Sequence, residues 1–191
     1  MVLMVEGPAN KQSDSGLLKK AILGEKSAFG KLYARYGDTL FRYAMAMSAD
    51  PSLAEDLLHD CFIQLLENPD AFQGRGSFKA YLLSIIRHRF IKIKRRRVIE
   101  NKLFSSLKGQ IFWSKPARGE VPFGTDDISN LNEVLRQLPV EQREVVILKI
   151  HEDLNFGEIG TIMSCSPKTA ESRYYLALSK LKEKFRGKPG I

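Results

Sequence analysis

The sequence NFGEIGTIMSCSPKTAESRYYLALSKLKEKF, residues 155–185, decides the fold of this chain. Apolar residues recur at helical spacing in two runs with a polar break between them. Asn155, followed three residues later by Glu158, is a capping box that predicts the start of the first helix. Ser166 and Pro167 supply an N-cap and a proline at the first helical position of the second. Two short helices joined by a tight turn are the pattern of a helix-turn-helix.

The second of these helices has an apolar and a polar face. Its inward stripe consists of Ala170, Tyr174, Ala177, Leu178, Leu181 and Phe185. A recognition helix offers its outward residues to base edges and phosphates in the major groove. The outward residues are Lys168, Ser172, Tyr175, Leu176 and Ser179, with Thr169 and Arg173 on the flank. Among these, we predict DNA contacts by Lys168, Thr169, Ser172, Arg173 and Tyr175. The same geometry also closes helical bundles that bind no DNA.

The composition favours an anionic partner. The 191 residues carry a formal net charge of +8, which suits nucleic acid or a membrane surface. No apolar run approaches the ~20 residues that span a bilayer, so we expect no membrane insertion. Residues 1–5 lack the pattern of a signal peptide. Cys61 and Cys165, far apart in the sequence, suggest reduced, buried thiols in a cytoplasmic protein without a disulfide framework or metal site.

The sequence pattern of the first half of the chain predicts helices throughout. After a tail (residues 1–13), we predict a short helix, a long helix capped by Ser27, a third helix ending near Glu67, and a fourth opened by Ser77. No strand-like alternation appears in this part of the sequence. Residues 14–97 are therefore expected to form one all-helical domain.

The outer face of the predicted third helix carries Asp56, His59, Asp60 and Ile63. The two acids lie beyond the first helical turn, so the helix dipole does not account for them. The stripe is either an ordinary solvated face or a docking surface for a basic partner. One histidine and two acids on one helix lack the spacing of a metal cage, and we expect no metal and no cofactor.

A basic segment without acids covers residues 71–99. Its cations are Arg75, Lys79, Arg87, Arg89, Lys92, Lys94, Arg95, Arg96 and Arg97. Phe72, Phe78 and Tyr81 lie near its start. Cations neutralise phosphates and aromatic rings stack on unpaired bases, so the segment is typical of nucleic-acid binding. A solvated basic face with core aromatics is the alternative, and Phe78 and Tyr81 individually suit a core.

The rest of the sequence indicates a linker and a second domain. Residues 98–127 lose helical periodicity and are rich in Gly and Pro, which indicates a flexible linker. Residues 128–186 predict two helices followed by the helix-turn-helix. The sequence therefore predicts an all-α fold of two helical domains joined by a flexible linker, the C-terminal one a four-helix domain with a helix-turn-helix.

These motifs together resemble one family, the bacterial RNA polymerase sigma factors of the sigma-70 family, extracytoplasmic-function (ECF) type. The resemblance covers nearly the whole chain after the tail. It rests on residues 28–33 (AFGKLY), 50–57 (DPSLAEDL), 76–82 (GSFKAYL), 138–145 (LPVEQREV), 158–160 (EIG) and 169–173 (TAESR). Each motif alone is weak, and their order and spacing carry the resemblance.

The resemblance implies a transcription-initiation subunit that binds core RNA polymerase, directs it to promoter DNA and helps melt the minus-ten region. It implies that residues 14–97 correspond to sigma region 2 and residues 128–186 to region 4. Asp56, His59, Asp60 and Ile63 would bind core polymerase. Minus-ten DNA would be bound by Phe72, Arg75, Lys79, Tyr81, Arg87, His88 and Lys92. The recognition helix would bind the minus-thirty-five element, and an anti-sigma factor is expected by analogy.

The sequence departs from the family at several of these positions. Tyr81 replaces the usual Trp, and Glu171 and Leu176 stand where Lys or Arg is more frequent. The recognised promoter sequence therefore does not follow from the resemblance. The alternative function is a free-standing helix-turn-helix transcriptional regulator. A nuclease built on His59 and Asp60 lacks any catalytic constellation, so we expect no enzyme.

Overall fold

A computed structural model describes residues 13–72, 76–108, 135 and 137–186, and in these residues the chain is helical without a strand. The predicted all-α class is confirmed. Most of the predicted tail and linker, and Arg75, lie outside the described residues. The helices are α1 Asp14–Ile22, α2 Lys26–Ser48, α3 Pro51–Glu67, α4 Phe78–Lys108, α5 Val140–Ile150, α6 Phe156–Met163 and α7 Pro167–Arg186, with a 3-10 turn at Pro69–Ala71.

The predicted caps of the helix-turn-helix are confirmed. The Asn155 side chain accepts a hydrogen bond from the Glu158 amide at 3.0 Å, and the Glu158 carboxylate accepts one from the Asn155 amide at 3.0 Å. Ser166 Oγ accepts a hydrogen bond from the Thr169 amide at 3.0 Å. Each bond satisfies an amide that the first helical turn leaves without a backbone partner.

The predicted cap of α2 is wrong. The helix begins at Lys26 with Glu25 as its N-cap residue, and Ser27 instead donates its hydroxyl to the Glu25 carboxylate at 3.0 Å. Gly24, with a φ of +89°, turns the chain out of α1 in a conformation that glycine adopts without strain. The chain therefore re-enters helical geometry directly after the turn, before it reaches Ser27.

Helix α4 is longer than the sequence predicted. It continues through residues 98–108, which we expected to lie in the linker. Val98 and Ile99 are each more than half exposed, so these two apolar residues of α4 do not mark a buried helical face. No Gly or Pro interrupts these residues, and Gly109 follows directly. An ion pair of Arg96 with Glu100 at 2.7 Å supports this turn of the helix.

The first three helices and α4 enclose one apolar core. Helix α2 packs against α1 and α3, and α4 packs across α2 and α3. The fully buried side chains include Leu32 and Leu40 of α2, Leu57 of α3, and Leu82 and Ile86 of α4. Each such side chain contributes about 1.5–3 kcal/mol through burial, which fixes the outward faces of α3 and α4.

Helices α5, α6 and α7 pack on one another as the second helical unit. Its buried residues include Val145 and Leu148 of α5, Ile159 of α6, and Ala170 and Ala177 of α7. The small alanines allow α7 to lie close to its neighbours. This unit also contacts the first, because α6 packs against α4 and α5 touches α2. The sequence carried no prediction of this arrangement.

Candidate polymerase and nucleic-acid interfaces

Helix α3 presents the predicted acidic stripe to solvent. Asp56 and His59 are exposed, and Ile63 is 50% exposed although it is apolar. Asp60 is partly covered, because its carboxylate lies 3.5 Å from the Arg89 guanidinium of α4. The four residues thus share one accessible face that combines negative charge with an apolar side chain. This chemistry suits a basic partner that also offers an apolar contact.

The predicted stacking rings belong to an aromatic cluster at the start of α4. The Phe72 ring lies 4.9 Å from that of Phe78, edge to face, and 5.4 Å from that of Tyr81. Phe78 is buried in the core, whereas Phe72 and Tyr81 are half-buried. Burial raises the pKa of Tyr81, so its hydroxyl stays protonated at neutral pH. The rings of Phe72 and Tyr81 contact each other and remain partly accessible, so unpaired bases can stack on them.

His88 and Lys92 are exposed one helical turn apart on α4. They line an open groove of about 360 Å³ between α4 and the end of α3. The groove is completed by Gln64, Glu67, Asn68 and Arg89. Sequence reasoning missed the three residues of the α3 end, because nothing in the local pattern places them beside α4.

Lys79 and Arg87 do not lie free on the surface as the predicted minus-ten contacts. The Lys79 ammonium lies 2.8 Å from the Glu152 carboxylate and donates a hydrogen bond to the Glu152 carbonyl oxygen, also at 2.8 Å. Arg87 is 9% exposed, and its Nε donates to Glu144 Oε1 at 2.7 Å. Both carboxylates belong to the second helical unit. Lys79 and Arg87, both predicted to bind minus-ten DNA, are therefore paired with carboxylates in this structure.

Tyr43 of α2 completes this interdomain cluster, which we define as Tyr43, Lys79, Arg87, Glu144 and Glu152. The Tyr43 hydroxyl donates to the same Glu144 oxygen at 2.8 Å, and both residues are 1% exposed. Burial raises the pKa of Glu144, and the Arg87 guanidinium and the Tyr43 hydrogen bond oppose the rise. Burial and the Glu144 charge raise the pKa of Tyr43 well above its ordinary value.

Sequence reasoning missed Tyr43, Glu144 and Glu152. One signal was available for Glu144. It lies four residues before Leu148, on the inward face of α5, and an acid on an apolar face requires a buried partner. The identity of that partner was not readable, because Tyr43 is 101 residues away in the sequence.

Helix α7 presents the predicted recognition surface. Lys168, Thr169, Ser172 and Tyr175 are exposed, and so are the unusual Glu171 and Leu176. Arg173 is only partly exposed, because its guanidinium lies 3.0 Å from the Glu141 carboxylate of α5. Ser172 donates its hydroxyl to the Lys168 carbonyl oxygen at 2.9 Å. The outward face is thus available to a DNA major groove. One of its cations, Arg173, is paired with the Glu141 carboxylate.

The described part of the chain was also compared with what a metal site and a membrane span require: it offers neither. No group of three or more His, Cys, Asp or Glu side chains there could hold a metal ion. None of the helices described is both long enough and apolar enough to cross a membrane.

Comparison with known proteins places the chain in a known family. The family description "Sigma-70 region 2" matches residues 32–98, and "Sigma-70, region 4" matches residues 128–181. The chain is 25% identical over 171 residues to RNA polymerase sigma factor NccH of Alcaligenes xylosoxydans xylosoxydans, covering 88% of this chain and 92% of that protein. It is 25% identical over 166 residues to the ECF RNA polymerase sigma factor SigX of Bacillus subtilis, covering 83% and 84%.

The fold is also similar to that of a solved structure. The sigma factor RpoE of Bartonella quintana, in a co-crystal with the anti-sigma factor NepR, matches with a TM-score of 0.69 at 24% sequence identity. The match covers 83% of this chain and 97% of that one. A two-unit helical protein with a helix-turn-helix and these two matched regions is a transcription-initiation subunit that directs RNA polymerase to promoters. The chain belongs to the sigma-70 family, as a factor of the ECF type.

Proposed function

We propose that three surfaces of this factor divide the work of initiation. The acidic stripe of α3 (Asp56, His59, Asp60 and Ile63) binds core RNA polymerase. The aromatic cluster and the cations at the start and outer side of α4 bind the minus-ten region. The outward face of α7 binds the minus-thirty-five element. The observation that carries the proposal is the separation of one exposed acidic face from two DNA-type surfaces on different helices.

The minus-ten surface consists of Phe72, Arg75, Lys79, Tyr81, Arg87, His88 and Lys92. Opening a base-pair step costs about 1–2 kcal/mol in stacking. A base stacked on an aromatic side chain recovers about 1–3 kcal/mol. Phe72 and Tyr81 stand side by side, and His88 and Lys92 are exposed further along α4. A short bubble can therefore be held open by stacking and phosphate contacts together.

The minus-thirty-five surface consists of Lys168, Thr169, Ser172, Arg173 and Tyr175. Lys168 is suited to a phosphate, whereas the hydroxyl groups of Ser172 and Tyr175 are suited to base edges. We assign residues 14–97 to the polymerase and minus-ten unit, residues 128–186 to the minus-thirty-five unit, and residues 98–127 to the connection, of which α4 supplies the first part.

The proposed role needs no catalysis by this chain, because the polymerase performs the chemistry. It places the factor in the cytoplasm, beside the polymerase and the chromosome. An anti-sigma factor is a further expected partner, by analogy with the co-crystal of RpoE and NepR. We expect such a partner to compete with core polymerase for the factor in a binding assay.

The test is transcription with purified core polymerase and fragmented genomic DNA. Adding the factor is expected to yield transcripts from a small set of start sites that core polymerase alone does not use. Absence of factor-dependent start sites would reject the proposed function. A free-standing regulator, the alternative, predicts tight binding to duplex promoters without polymerase, so the same DNA is titrated with the factor alone.

A further inference from the structure

Two large apolar side chains lie on the outward face of α7. Tyr175 is 59% exposed and Leu176 is 55% exposed. The residues one helical turn from Leu176 in either direction are all polar, and they are Ser172, Arg173, Ser179 and Lys180. The packing of α7 on its neighbours is provided instead by the buried Ala170, Ala177 and Leu181. Leu176 therefore contributes little to the core of the second helical unit.

Tyr175 is supported by other rings, and Leu176 lies away from them. The Tyr175 ring lies 5.6 Å from the Tyr174 ring, edge to face, and the Tyr174 ring lies 5.7 Å from that of Phe156 in α6. Tyr175 thus belongs to a row of three rings that joins the two helices of the helix-turn-helix. Because consecutive residues are about 100° apart around a helix, Leu176 follows Tyr175 on the side away from Tyr174. Its exposed atoms are available to a ligand of α7.

The outward face of α7 offers few groups that distinguish bases by hydrogen bonds. Bidentate contacts with guanine and adenine come from Arg, Lys, Asn and Gln. The outward residues are Lys168, Ser172, Tyr175, Leu176 and Ser179. Lys168 is suited to a phosphate, and Arg173 on the flank is paired with the Glu141 carboxylate at 3.0 Å. Ser172 donates its proton to the Lys168 carbonyl oxygen, which leaves its hydroxyl oxygen as an acceptor only.

An apolar side chain recognises one feature of the major groove. Thymine presents its C5-methyl group there, whereas the other bases are marked by hydrogen-bond donors and acceptors. A leucine against this methyl group removes apolar surface of both partners from water. Against a guanine, adenine or cytosine edge, the same leucine covers a donor or an acceptor that then lacks a partner. Leucine therefore favours thymine and disfavours the other three bases.

We propose that Leu176 is a specificity residue of the minus-thirty-five surface and reads the C5-methyl group of a thymine in the major groove. The inference rests on the proposed function, in which the outward face of α7 binds the minus-thirty-five element. Leu176 lies one helical turn beyond Ser172 and adds a base preference that needs no hydrogen bond. Lys or Arg at this position would instead suit guanine.

The experiment uses the holoenzyme and promoters identified by transcription. Each thymine of the minus-thirty-five element, on either strand, is replaced in turn by deoxyuridine, which pairs with adenine as thymine does and lacks only the methyl group. Binding to fluorescein-labelled duplexes is measured for the unaltered factor and for Leu176→Ala. Deoxyuridine at a thymine between the minus-thirty-five and minus-ten elements is the DNA control. Ile150→Ala is the protein control, because Ile150 of α5 is an apolar side chain with a similar exposure of 57%.

Deoxyuridine at one thymine is expected to weaken binding of the unaltered holoenzyme by about fourfold, the effect of one buried methyl group. Leu176→Ala should bind the thymine duplex more weakly by at least this factor and should not distinguish it from the deoxyuridine duplex. Such non-additivity of the two changes identifies a direct contact. Ile150→Ala should keep the full response to deoxyuridine. Leu176→Arg should change the preferred base at this position from thymine to guanine.

Equal responses to deoxyuridine in the unaltered factor and in Leu176→Ala overturn the inference. So does a minus-thirty-five element in which no thymine is sensitive, or in which none occurs. Affinity for core polymerase is measured in parallel. If Leu176→Ala loses that affinity while its response to deoxyuridine stays unchanged, the leucine serves a protein contact and the inference is again overturned.

Scrambling the whole minus-thirty-five element separates the two possible failures. If scrambling weakens holoenzyme binding but deoxyuridine does not act through Leu176, the proposed function stands and only the thymine contact fails. If scrambling leaves binding unchanged, the proposed minus-thirty-five role of α7 fails, and thymine recognition fails with it.

Discussion

Gly160 of α6 lies directly beneath the carbonyl oxygen of Cys165, so that a Cβ at Gly160 would come within 2.7 Å of that oxygen. The Cys165 amide in turn donates to the Gly160 carbonyl oxygen at 2.9 Å. The turn of the helix-turn-helix therefore approaches α6 closely, backbone against backbone. Ser164, with a φ of 53°, ends α6 in the left-handed conformation that directs the chain into this turn.

We expect Gly160→Ala to destabilise the protein by about 1–3 kcal/mol, because the added methyl group forces the turn away from α6. Urea unfolding followed by circular dichroism measures the loss. Gly30→Ala is the control, since Gly30 is exposed in α2 and its Cβ would meet nothing within 4 Å. The control should gain up to about 1 kcal/mol from helix propensity alone. Equal stability of the two variants would contradict the close approach.

Charge reversal at Asp56 tests the acidic stripe. Asp56 is exposed on α3 and is not needed for packing, so Asp56→Arg should leave the unfolding free energy within about 0.5 kcal/mol. Its affinity for core polymerase should fall at least about tenfold, because a like charge then faces a basic partner. Asp38→Arg on α2 applies the same change elsewhere on the surface. The stripe is not the docking site if both variants bind core polymerase as the unaltered factor does.

The two cysteines should differ sharply in reactivity. Burial raises the pKa of Cys61 from 9.0 to about 12, and its thiol donates to the Leu82 carbonyl oxygen at 3.6 Å. At pH 8.5 only about 0.03% of such a thiol is ionised, and the thiolate is the reactive form. Iodoacetamide should therefore modify Cys165 alone in the folded protein and both cysteines in urea. Mass spectrometry of the intact protein counts the additions, and double modification without urea would refute the burial.

The same raised pKa has a consequence for alkaline stability. The folded state binds the Cys61 proton more tightly than the unfolded state does, and this difference adds to the free energy of unfolding. The contribution is fully present below pH 9 and is lost as the pH rises towards 12. Cys61→Ala removes the titrating group. The unfolding free energy of the unaltered protein should therefore fall more steeply than that of the variant between these pH values. If the unfolding free energies of the two proteins fall equally with pH, Cys61 does not titrate differently in the folded and unfolded states.

The parts of this structure that could be predicted are those determined by residues close together in the sequence. The caps at Asn155 and Ser166 act over three residues, and the inward position of Ala170 and Ala177 follows from the helical period. The continuation of α4 beyond residue 97 was not predictable from periodicity, because the apolar residues Val98 and Ile99 are exposed and mark no buried face. The pairing of Tyr43 with Glu144 was not predictable either, since it depends on how two separately predicted units pack.

Lys168 tests the recognition surface. An exposed lysine in the first turn of α7 is placed to bind a phosphate, which adds affinity without selecting a base. With the holoenzyme and a promoter identified by transcription, Lys168→Ala should weaken duplex binding equally on matched and mismatched minus-thirty-five sequences. It should also lower the slope of log affinity against log salt by about 1.

Lys180→Ala is the control for this prediction. Lys180 is also exposed, but it lies about 18 Å further along α7 and on another face of the helix. Ser172→Ala serves as the opposite case, because a lost base-edge contact changes the preference among sequences and leaves the salt slope as it was. An unchanged slope for Lys168→Ala, or a slope lowered as much by Lys180→Ala, would show that the N-terminal outward face of α7 does not lie against the DNA backbone.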